Sequence, residues 1–504
     1  MIDLSTISLP ELSYLSRNEI QAIEFNEFDL YDNAAELMEN AGKSVADYIR
    51  SVCPSGSIVI LAGPGNNGGD GYIAAKELAD SHQVHVIYVD QPKTNLAENA
   101  RKSLPASVEL LCFPEQNHRC LELVRTAAIV IDAVFGVGLS SDLRPPYGDF
   151  LDVLESADIT NIVSVDLPSG LDCDKEVWYG PAFDPTAVIT MQYSKQVMEN
   201  WSLQSEIKVV DIGFHPESAY LVGKGHVKVM WPDRDVNSYK GQNGRVMVIG
   251  GSDEFTGAPV LSGHAVLRVG VDTLRIAVPE TIRDIVAGYN QDFIVVKVRG
   301  ERHNSKSFSK FQEMTKRRHD VVVMGMGLSN HGHTKKFVLD IVEKIHDHVQ
   351  LVLDADAIRP FKGHLDRIRK TNAIITPHKA ELRVLVQESI PTDFAELVEF
   401  VMEKARENNL VILLKGKIDI ITDGTRVLFN TTGHAGMTVG GTGDVLAGVV
   451  AGVNCFVKDK FYATAIAAHI MGLAGERAAV DYGYSLLASD ISDHLPKIIM
   501  DLHN

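Results

Sequence analysis

The sequence has few cysteines and lacks the spacings at which cysteines bind metal or form disulfides. Its five cysteines are scattered over 504 residues, and no two are arranged as C-x-x-C. This usage is typical of a protein in a reducing compartment, and it argues against a zinc knuckle or a disulfide framework. We therefore expect a cytoplasmic protein without structural disulfides.

Long apolar runs and a secretory leader are also missing. No run approaches the roughly 18 apolar residues that cross a membrane, and the nearest, residues 461–474, contains His469 and is predicted to be a core helix. The first residues, MIDLSTISLP, lack the basic and apolar regions of a signal peptide. We expect no membrane partner.

Positive charge is in deficit, with 48 basic and 66 acidic residues and a formal net charge of −18. Proteins that bind nucleic acid usually present a basic face to the phosphate backbone. We therefore expect no nucleic-acid partner. A local basic pocket for a small phosphorylated ligand is still compatible with this balance.

The length corresponds to two or three average domains. Two stretches of the chain alternate short apolar, β-rich segments with helix-like segments, which is typical of mostly parallel α/β sheets. A polar break at 216–235 separates the stretches. We predict two α/β domains, 1–222 and 227–504. The strands expected in them are 57–62, 83–90, 128–133, 161–166, 186–191, 244–250, 273–278, 320–324, 350–353 and 411–415.

The first stretch contains a glycine cluster, GPGNNGGDG at 63–71, between a predicted strand and a predicted helix. Glycines let a backbone approach phosphate groups closely, and a helix N-terminus attracts them. A bare G-x-G-x-x-G also occurs in ordinary strand-to-helix turns, but the density of glycine, asparagine and aspartate here favours a binding site.

Polar residues follow two further strands of this stretch, in DAVFGVGL and VDLPSGLD. Asp132, Asp166 and Ser169 lie where open α/β sheets bind ligands. A carboxylate at such a point can act as a general acid or base, or bind a cation. Each could instead cap a turn or a helix.

The second stretch carries the run GMTVGGTGDVLAG at 436–448. Its glycines and the following helix form an anion hole for a transferring phosphoryl group. Asp444 stands where a base could accept the proton of a hydroxyl acceptor, although it could also be a helix cap. The chain has no Walker G-x-x-x-x-G-K-[ST] and no H-R-D, so these two kinase classes are excluded.

The motifs of the first stretch, preceded by LMENAG at 37–42, resemble the NAD(P)H-hydrate epimerase family over roughly residues 10–215. The resemblance implies a Rossmann-like, doubly wound domain. Because Asp166 ends a predicted strand at the ligand-binding edge, we expect it to serve as both the acid and the base of the epimerisation. The resemblance also implies potassium ligands at Asn67, Asp132 and Ser169. The implied substrate contacts are Asn66, Asn67, Gly68, Gly69, Asp70, Gly136, Val137, Gly138, Leu139 and Asp166.

The GGTGD motif resembles ribokinase-like kinases, and its companions GGS, GMGL, DADA, TPH and KG occur in the order of NAD(P)H-hydrate dehydratases. The resemblance covers roughly residues 227–500 and implies an α/β/α fold with Asp444 as the catalytic base. A lone His378 is also commonly structural. The implied substrate contacts are Ala258, Gly327, His378 and Asp444, and the implied nucleotide contacts are Lys415, Gly416, Lys417, Ile418, Asp419 and Gly443.

Together the resemblances imply an enzyme that repairs hydrated NADH and NADPH. The front domain would interconvert the two epimers of the hydrate, and the back domain would dehydrate one of them with ADP as phosphoryl donor and Mg²⁺ as its ion. We expect a homo-oligomer. The alternative is a ribokinase-like vitamin or small-molecule kinase fused to a non-catalytic nucleotide-binding module.

Overall fold

The computed structural model describes residues 3–113, 115–156, 159, 161–181, 183–305 and 319–503. The chain forms two compact units, a front unit of Glu11–His215 and a back unit that combines the described residues up to Pro10 with those from Pro216 onward. The structural boundary thus precedes the expected 222–227 junction. The assignment of one activity to each of the spans 1–222 and 227–504 stays a prediction.

The front unit is built on a parallel sheet. Its described part contains seven strands in the order β3-β2-β1-β4-β5-β6-β7, and every pairing is parallel. The strands are β1 Ser57–Ala62, β2 Gln83–Tyr88, β3 Glu109–Cys112, β4 Ile129–Ala133, β5 Ile162–Val165, β6 Ala187–Met191 and β7 Glu206–Val210.

Helices cover both faces of this sheet. Successive side chains of a strand point to opposite faces, and here the side chains on both faces are apolar and need to be buried. In β1, Ile58 and Ile60 pack into one apolar cluster and Val59 and Leu61 into another. Burial on both faces explains why the strand is apolar throughout. The helices are Arg17–Tyr31, Ala34–Val52, Asn66–Leu78, Asn95–Lys102, Asn117–Thr126 and Tyr147–Ser156.

The back unit is built on a mixed sheet. In its described part, nine strands run in the order β10-β9-β8-β11-β12-β13-β14-β15-β16, parallel except for the antiparallel pairings of β15 with β14 and β16. The strands are β8 Arg245–Ile249, β9 Thr273–Pro279, β10 Ile294–Val298, β11 Val321–Met324, β12 Gln350–Leu353, β13 Ile374–Ile375, β14 Val411–Leu414, β15 Asp419–Thr422 and β16 Val427–Asn430.

Two apolar clusters again lie on opposite faces of the sheet, with Val246 and Val248 of β8 in one and Met247 and Ile249 in the other. The predicted core helix is confirmed: residues 461–474 lie within a largely buried helix, Lys460–Tyr482. The other helices are Pro216–Tyr220, Lys224–Met230, Ala258–Arg268, Arg283–Ala287, Gly332–Ile345, Leu365–Arg369, Lys379–Val386, Phe394–Asn408, Thr442–Val453 and Ala488–His503. Among the described residues, no helix has the length and apolar content needed to cross a membrane.

The N-terminal segment, residues 3–10, belongs to the back unit although it precedes the front unit in the sequence. Leu4 and Ile7 are buried in the same apolar cluster as Met247. The carbonyl of Pro10 accepts a 2.6 Å hydrogen bond from the Tyr220 hydroxyl. The back unit is therefore made from both ends of the chain.

Each sheet reverses its strand order at one internal point. In the front sheet β1 lies between β2 and β4, and in the back sheet β8 lies between β9 and β11. The loops that leave neighbouring strands there diverge to opposite faces, which opens a crevice at the carboxyl edge of the sheet. The glycine-rich segments that follow β1 and β8 lie at these crevices.

Candidate active sites

The first glycine cluster forms a tight turn and the start of a helix. The helix Asn66–Leu78 begins directly after Gly65. A side chain at Gly63 would place its Cβ 1.9 Å from the carbonyl oxygen of Val134, so only glycine lets the turn after β1 approach the loop after β4. The result is a helix N-terminus, with its positive dipole end, at the crevice.

A cavity of about 450 Å³ opens at this helix N-terminus. It brings together seven of the predicted substrate contacts: Asn66, Asn67, Asp70, Gly136, Val137, Gly138 and Asp166. Three others do not line it. Gly68 and Gly69 are buried within the helix, and Leu139 lies on the loop, where its carbonyl accepts a 2.6 Å hydrogen bond from Arg17 Nη2.

Asp166 is the most constrained residue of this cavity. Its φ of +68° lies in the left-handed region, which aspartate enters more readily than most residues. One carboxylate oxygen forms a 2.6 Å ion pair with Lys195 Nζ, and the other accepts a hydrogen bond from the Val137 amide at 3.3 Å. A Cβ on Gly136 would lie 2.7 Å from this second oxygen. The loop therefore reaches Asp166 only because residue 136 is glycine.

Two ionisable residues of this cavity, Glu24 and Lys195, were missed by the sequence analysis. Lys195 is almost fully buried, and it also donates to the carbonyls of Met191 and Tyr193. Burial, and then the charge of Asp166, raise the pKa of Glu24 to about 7. The same two causes, with Glu24 added, raise the pKa of Asp70 well above its usual value. The cavity thus holds one salt-bridged carboxylate beside two carboxyl groups whose pKa values are raised.

The three predicted potassium ligands do not all touch one another. Ser169 donates its hydroxyl and its amide to the two carboxylate oxygens of Asp132, and Ser164 also donates to Asp132. Asn67 lies nearer to Gly136, whose Cβ position is 3.3 Å from Asn67 Oδ1. The donor set of carboxylate, hydroxyl and amide oxygens suits a hard cation such as K⁺.

The second glycine cluster also leads into a helix N-terminus, that of Thr442–Val453, and Asp444 lies in its first turn. Burial, and then the charge of Asp354, raise the pKa of Asp444 to about 7, while Lys415 opposes this shift. A carboxyl group with such a pKa exchanges protons readily at neutral pH.

Lys415 lies beside Asp444 but pairs with a different carboxylate. Its Nζ is 2.9 Å from Asp354 Oδ1, which also accepts a hydrogen bond from the Thr376 hydroxyl. A Cβ on Gly443 would lie 3.5 Å from Lys415 Nζ. Lys415 and Gly443, predicted to contact the nucleotide, therefore lie together at the helix N-terminus.

The remaining predicted nucleotide residues form the turn between β14 and β15. Gly416 donates its amide to Asp419 Oδ1 at 3.0 Å, and Asn430 Nδ2 donates to Asp419 Oδ2. Lys417 is exposed and Ile418 is half-buried. The turn is thus fixed at Asp419 and presents Lys417 to solvent.

The predicted substrate contacts of the back unit lie on three separate segments. A Cβ on Gly327 would be 3.2 Å from that of Ala258, so these two residues lie together. His378 caps the helix Lys379–Val386 by accepting the Ala380 and Glu381 amides on Nδ1, and about half of its side chain is exposed. His378 is linked to Lys415 by strand-like pairing. In the described part of the chain, no three His, Cys, Asp or Glu side chains are placed to hold a metal ion.

These features define a class of protein: two α/β units, each with a helix N-terminus and a protonable carboxyl group at its crevice. Comparison with known proteins defines it further. The profile of NAD(P)H-hydrate dehydratases matches residues 246–497, and the profile described as YjeF-related protein N-terminus matches residues 34–197.

Relatives match almost the whole chain. The bifunctional NAD(P)H-hydrate repair enzyme Nnr of Pyrobaculum aerophilum is 36% identical over 92% of this chain and 93% of its own. The enzyme of the same name from Archaeoglobus fulgidus is 35% identical over 97% of this chain and 99% of its own. A ribokinase-like superfamily protein from Enterococcus faecalis has a TM-score of 0.50 and 23% identity over 56% of this chain and 96% of its own, a likeness of fold.

The chain therefore belongs to the family of bifunctional NAD(P)H-hydrate repair enzymes. The predicted family, the enzyme class and the two-domain α/β fold are confirmed. The alternative of a vitamin kinase fused to a non-catalytic module is not favoured by relatives that match both units.

Proposed function

We propose that the front unit interconverts the R and S epimers of hydrated NADH and NADPH. In this proposal the back unit dehydrates the S form with ADP, releasing AMP and phosphate. The observation that carries the proposal is the presence, in each crevice, of a helix N-terminus beside a carboxyl group whose pKa is raised to about 7. The relatives named above supply the identity of the substrate.

In the back unit, Asp444 takes the proton of the substrate hydroxyl as that oxygen attacks the β-phosphorus of ADP. The bond between the β-phosphorus and the bridging oxygen breaks, and AMP leaves. Phosphate is a better leaving group than hydroxide, so the phosphorylated ring expels it with the electron pair of the broken C–O bond. Loss of a proton from the adjacent ring carbon to solvent then restores the double bond. The amides at the start of Thr442–Val453 stabilise the transferring phosphoryl group, and Lys415 adds positive charge beside them.

In the front unit, epimerisation proceeds by loss and return of the ring hydroxyl. The ring nitrogen stabilises the intermediate cation. Asp166, which forms an ion pair with Lys195, acts as the base that activates the returning water. Glu24 holds a proton near neutral pH and donates it to the departing hydroxyl. The two roles predicted for Asp166 alone are therefore divided between two carboxyl groups.

Two ions complete the proposal. The oxygens of Asn67, Asp132 and Ser169 would hold K⁺, which supplies positive charge for the diphosphate of the substrate. Mg²⁺ is usually held by one or two carboxylates together with substrate phosphates, and Asp354 and Asp356 offer carboxylates beside Asp444. In both units the residues of the chain carry the proton transfers.

Turnover of the hydrated substrate tests the proposal. Purified protein is incubated with hydrated NADH and ADP, and NADH absorbance, AMP and phosphate are followed together. We expect the three products in equal amounts and conversion of both epimers. A phosphorylated product that persists without NADH would identify a plain kinase instead.

The cellular setting belongs to the same proposal. Five unpaired cysteines agree with a cytoplasmic enzyme. We also propose a homo-oligomer, which light scattering of the purified protein would measure.

A further inference from the structure

A pocket of the back unit, about 340 Å³ in volume, is lined by His378 but by no residue of the glycine-rich run 436–448. We call it the basic pocket, because three cationic side chains line it. Its lining includes Lys335, Arg359, Lys362, His378, Glu381 and Val384. The first turn of the helix Gly332–Ile345 carries Lys335, so a helix N-terminus also contributes positive potential here.

The charge of the basic pocket contrasts with that of the whole chain, which is −18. Lys335 and Lys362 are exposed, and neither forms an ion pair with a described residue. The single acid of the lining, Glu381, is already engaged by its neighbours: it accepts the His378 amide at 2.9 Å, and its carboxylate lies 3.4 Å from His378 Nε2 and 3.9 Å from Lys415 Nζ. The pocket therefore presents positive charge to a ligand.

Contacts connect the basic pocket to the reacting centre. Arg359 Nε lies 3.8 Å from Asp356 Oδ1, and the charge of Asp356 acts on Asp444. On the other side, Lys415 Nζ lies 3.9 Å from Glu381 Oε2 and 2.9 Å from Asp354 Oδ1, so it connects the two carboxylates. The lining of the basic pocket is therefore linked by one ion pair to Asp356 and by another to Lys415, two of the charged residues that act on Asp444.

We infer that the basic pocket binds a phosphate group of the hydrated dinucleotide whose ring reacts at Asp444. This inference rests on the proposed function. Phosphate in that molecule has two sources: the diphosphate bridge, which both substrates share, and the ribose 2′-phosphate, which only the hydrate of NADPH carries. Ammonium and guanidinium groups form strong charge-assisted hydrogen bonds to either one.

Steady-state kinetics of lysine variants test the inference in the full-length protein. The variants are Lys335→Ala, Lys362→Ala and their combination, and the measurements are kcat and KM for each S hydrate and KM for ADP. Lys336→Ala is the matched control, because Lys336 is the neighbouring exposed lysine of the same helix but pairs with Asp340 at 2.6 Å.

We expect the double variant to raise KM for the hydrate by at least about tenfold, the change that corresponds to the loss of a single charge-assisted hydrogen bond, with kcat and KM for ADP little changed. A rise for the NADPH hydrate alone assigns the 2′-phosphate, and a rise for both hydrates assigns the diphosphate. In either case the ionic-strength dependence of KM should weaken relative to that of the control.

Unchanged KM values for both hydrates would overturn the inference, as would a rise in KM for ADP alone. These results are distinct from a failure of the proposed function, in which the unaltered protein would not regenerate NADH at all. Both lysines are exposed, so the substitutions should leave the thermal unfolding temperature unchanged.

Discussion

The two units place a lysine differently in relation to the aspartate that carries the chemistry. In the front unit Lys195 pairs directly with Asp166, and the raised pKa belongs to Glu24 nearby. In the back unit Lys415 pairs with Asp354, and Asp444 itself has the raised pKa. The comparison teaches that in both units burial raises the pKa of a carboxyl group other than the one with which the lysine forms its short ion pair.

The largest expected effect is that of Asp444→Asn. Asparagine keeps the size and the helix position of the residue but cannot accept the proton, so dehydration should fall by at least about 10²-fold. Epimerisation should be unaffected, since it belongs to the other unit. Following NADH formation and epimer exchange on the same preparation checks both, and near-normal NADH recovery would remove Asp444 from its role.

The next largest effect concerns the ion pair of Asp166 and Lys195 in the front unit. Asp166→Asn should slow epimer exchange by roughly 10²-fold. It should also lower the unfolding temperature, because removing one partner of a buried ion pair costs about 3–5 kcal/mol. Asparagine accepts the left-handed backbone, so strain is not added.

Adding Lys195→Met to Asp166→Asn separates the two consequences. The double variant should recover the lost stability, since no unpaired ammonium stays buried, while exchange stays slow. Epimers are followed chromatographically without ADP, so that the back unit is idle. If the double variant regained both stability and exchange, Asp166 would have only a structural role.

The pH dependences of the two activities should oppose each other. Asp444 must be deprotonated to act as base, so dehydration should rise as pH increases through about 7. Glu24 must be protonated to act as acid, so epimerisation should fall as pH increases through about 7. Each limb should approach about tenfold per pH unit. Rates of both activities measured across this range check the signs, and two rising limbs would contradict the role of Glu24.

The smallest expected effect is on stability. It tests whether residues 3–10 stabilise the back unit and leave the front unit unaffected. Leu4→Ala or Ile7→Ala should destabilise the back unit by about 2 kcal/mol, the lower range for a buried aliphatic side chain. Thermal inactivation should therefore occur earlier for dehydration and at the usual temperature for epimerisation. Thr6→Ala, at an exposed position, is the control. Equal loss of both activities would contradict this assignment of residues 3–10.

The strands that the sequence predicted are mostly buried, but burial alone did not ensure prediction, since β15 and β16 are also largely buried and were not predicted. β1 and β12 have the predicted bounds, because apolar residues fill them from end to end. β3 and β7 escaped prediction since they lie at the sheet edges, where exposed positions interrupt the apolar pattern. β13 consists of two residues, too few for any periodicity.

The sites were predictable where an aspartate follows a strand directly, as at Asp166, or where glycines lead into a helix whose first turn carries an aspartate, as at Asp444. Glu24 was not, because it lies within the helix Arg17–Tyr31, whose many charged residues give no sign of which one meets a cavity. A signal for Lys195 was available. It follows β6 by four residues, at the carboxyl edge where ligand-binding side chains gather.

The position of residues 3–10 has a consequence for synthesis on the ribosome. Chains emerge N-terminus first, and domains generally fold as units in that order. Leu4 and Ile7 are made before the front unit, yet their cluster includes Phe429 of β16. The segment must therefore stay undocked while the entire front unit emerges and folds. These apolar side chains thus leave the ribosome early and are among the last to be shielded from water.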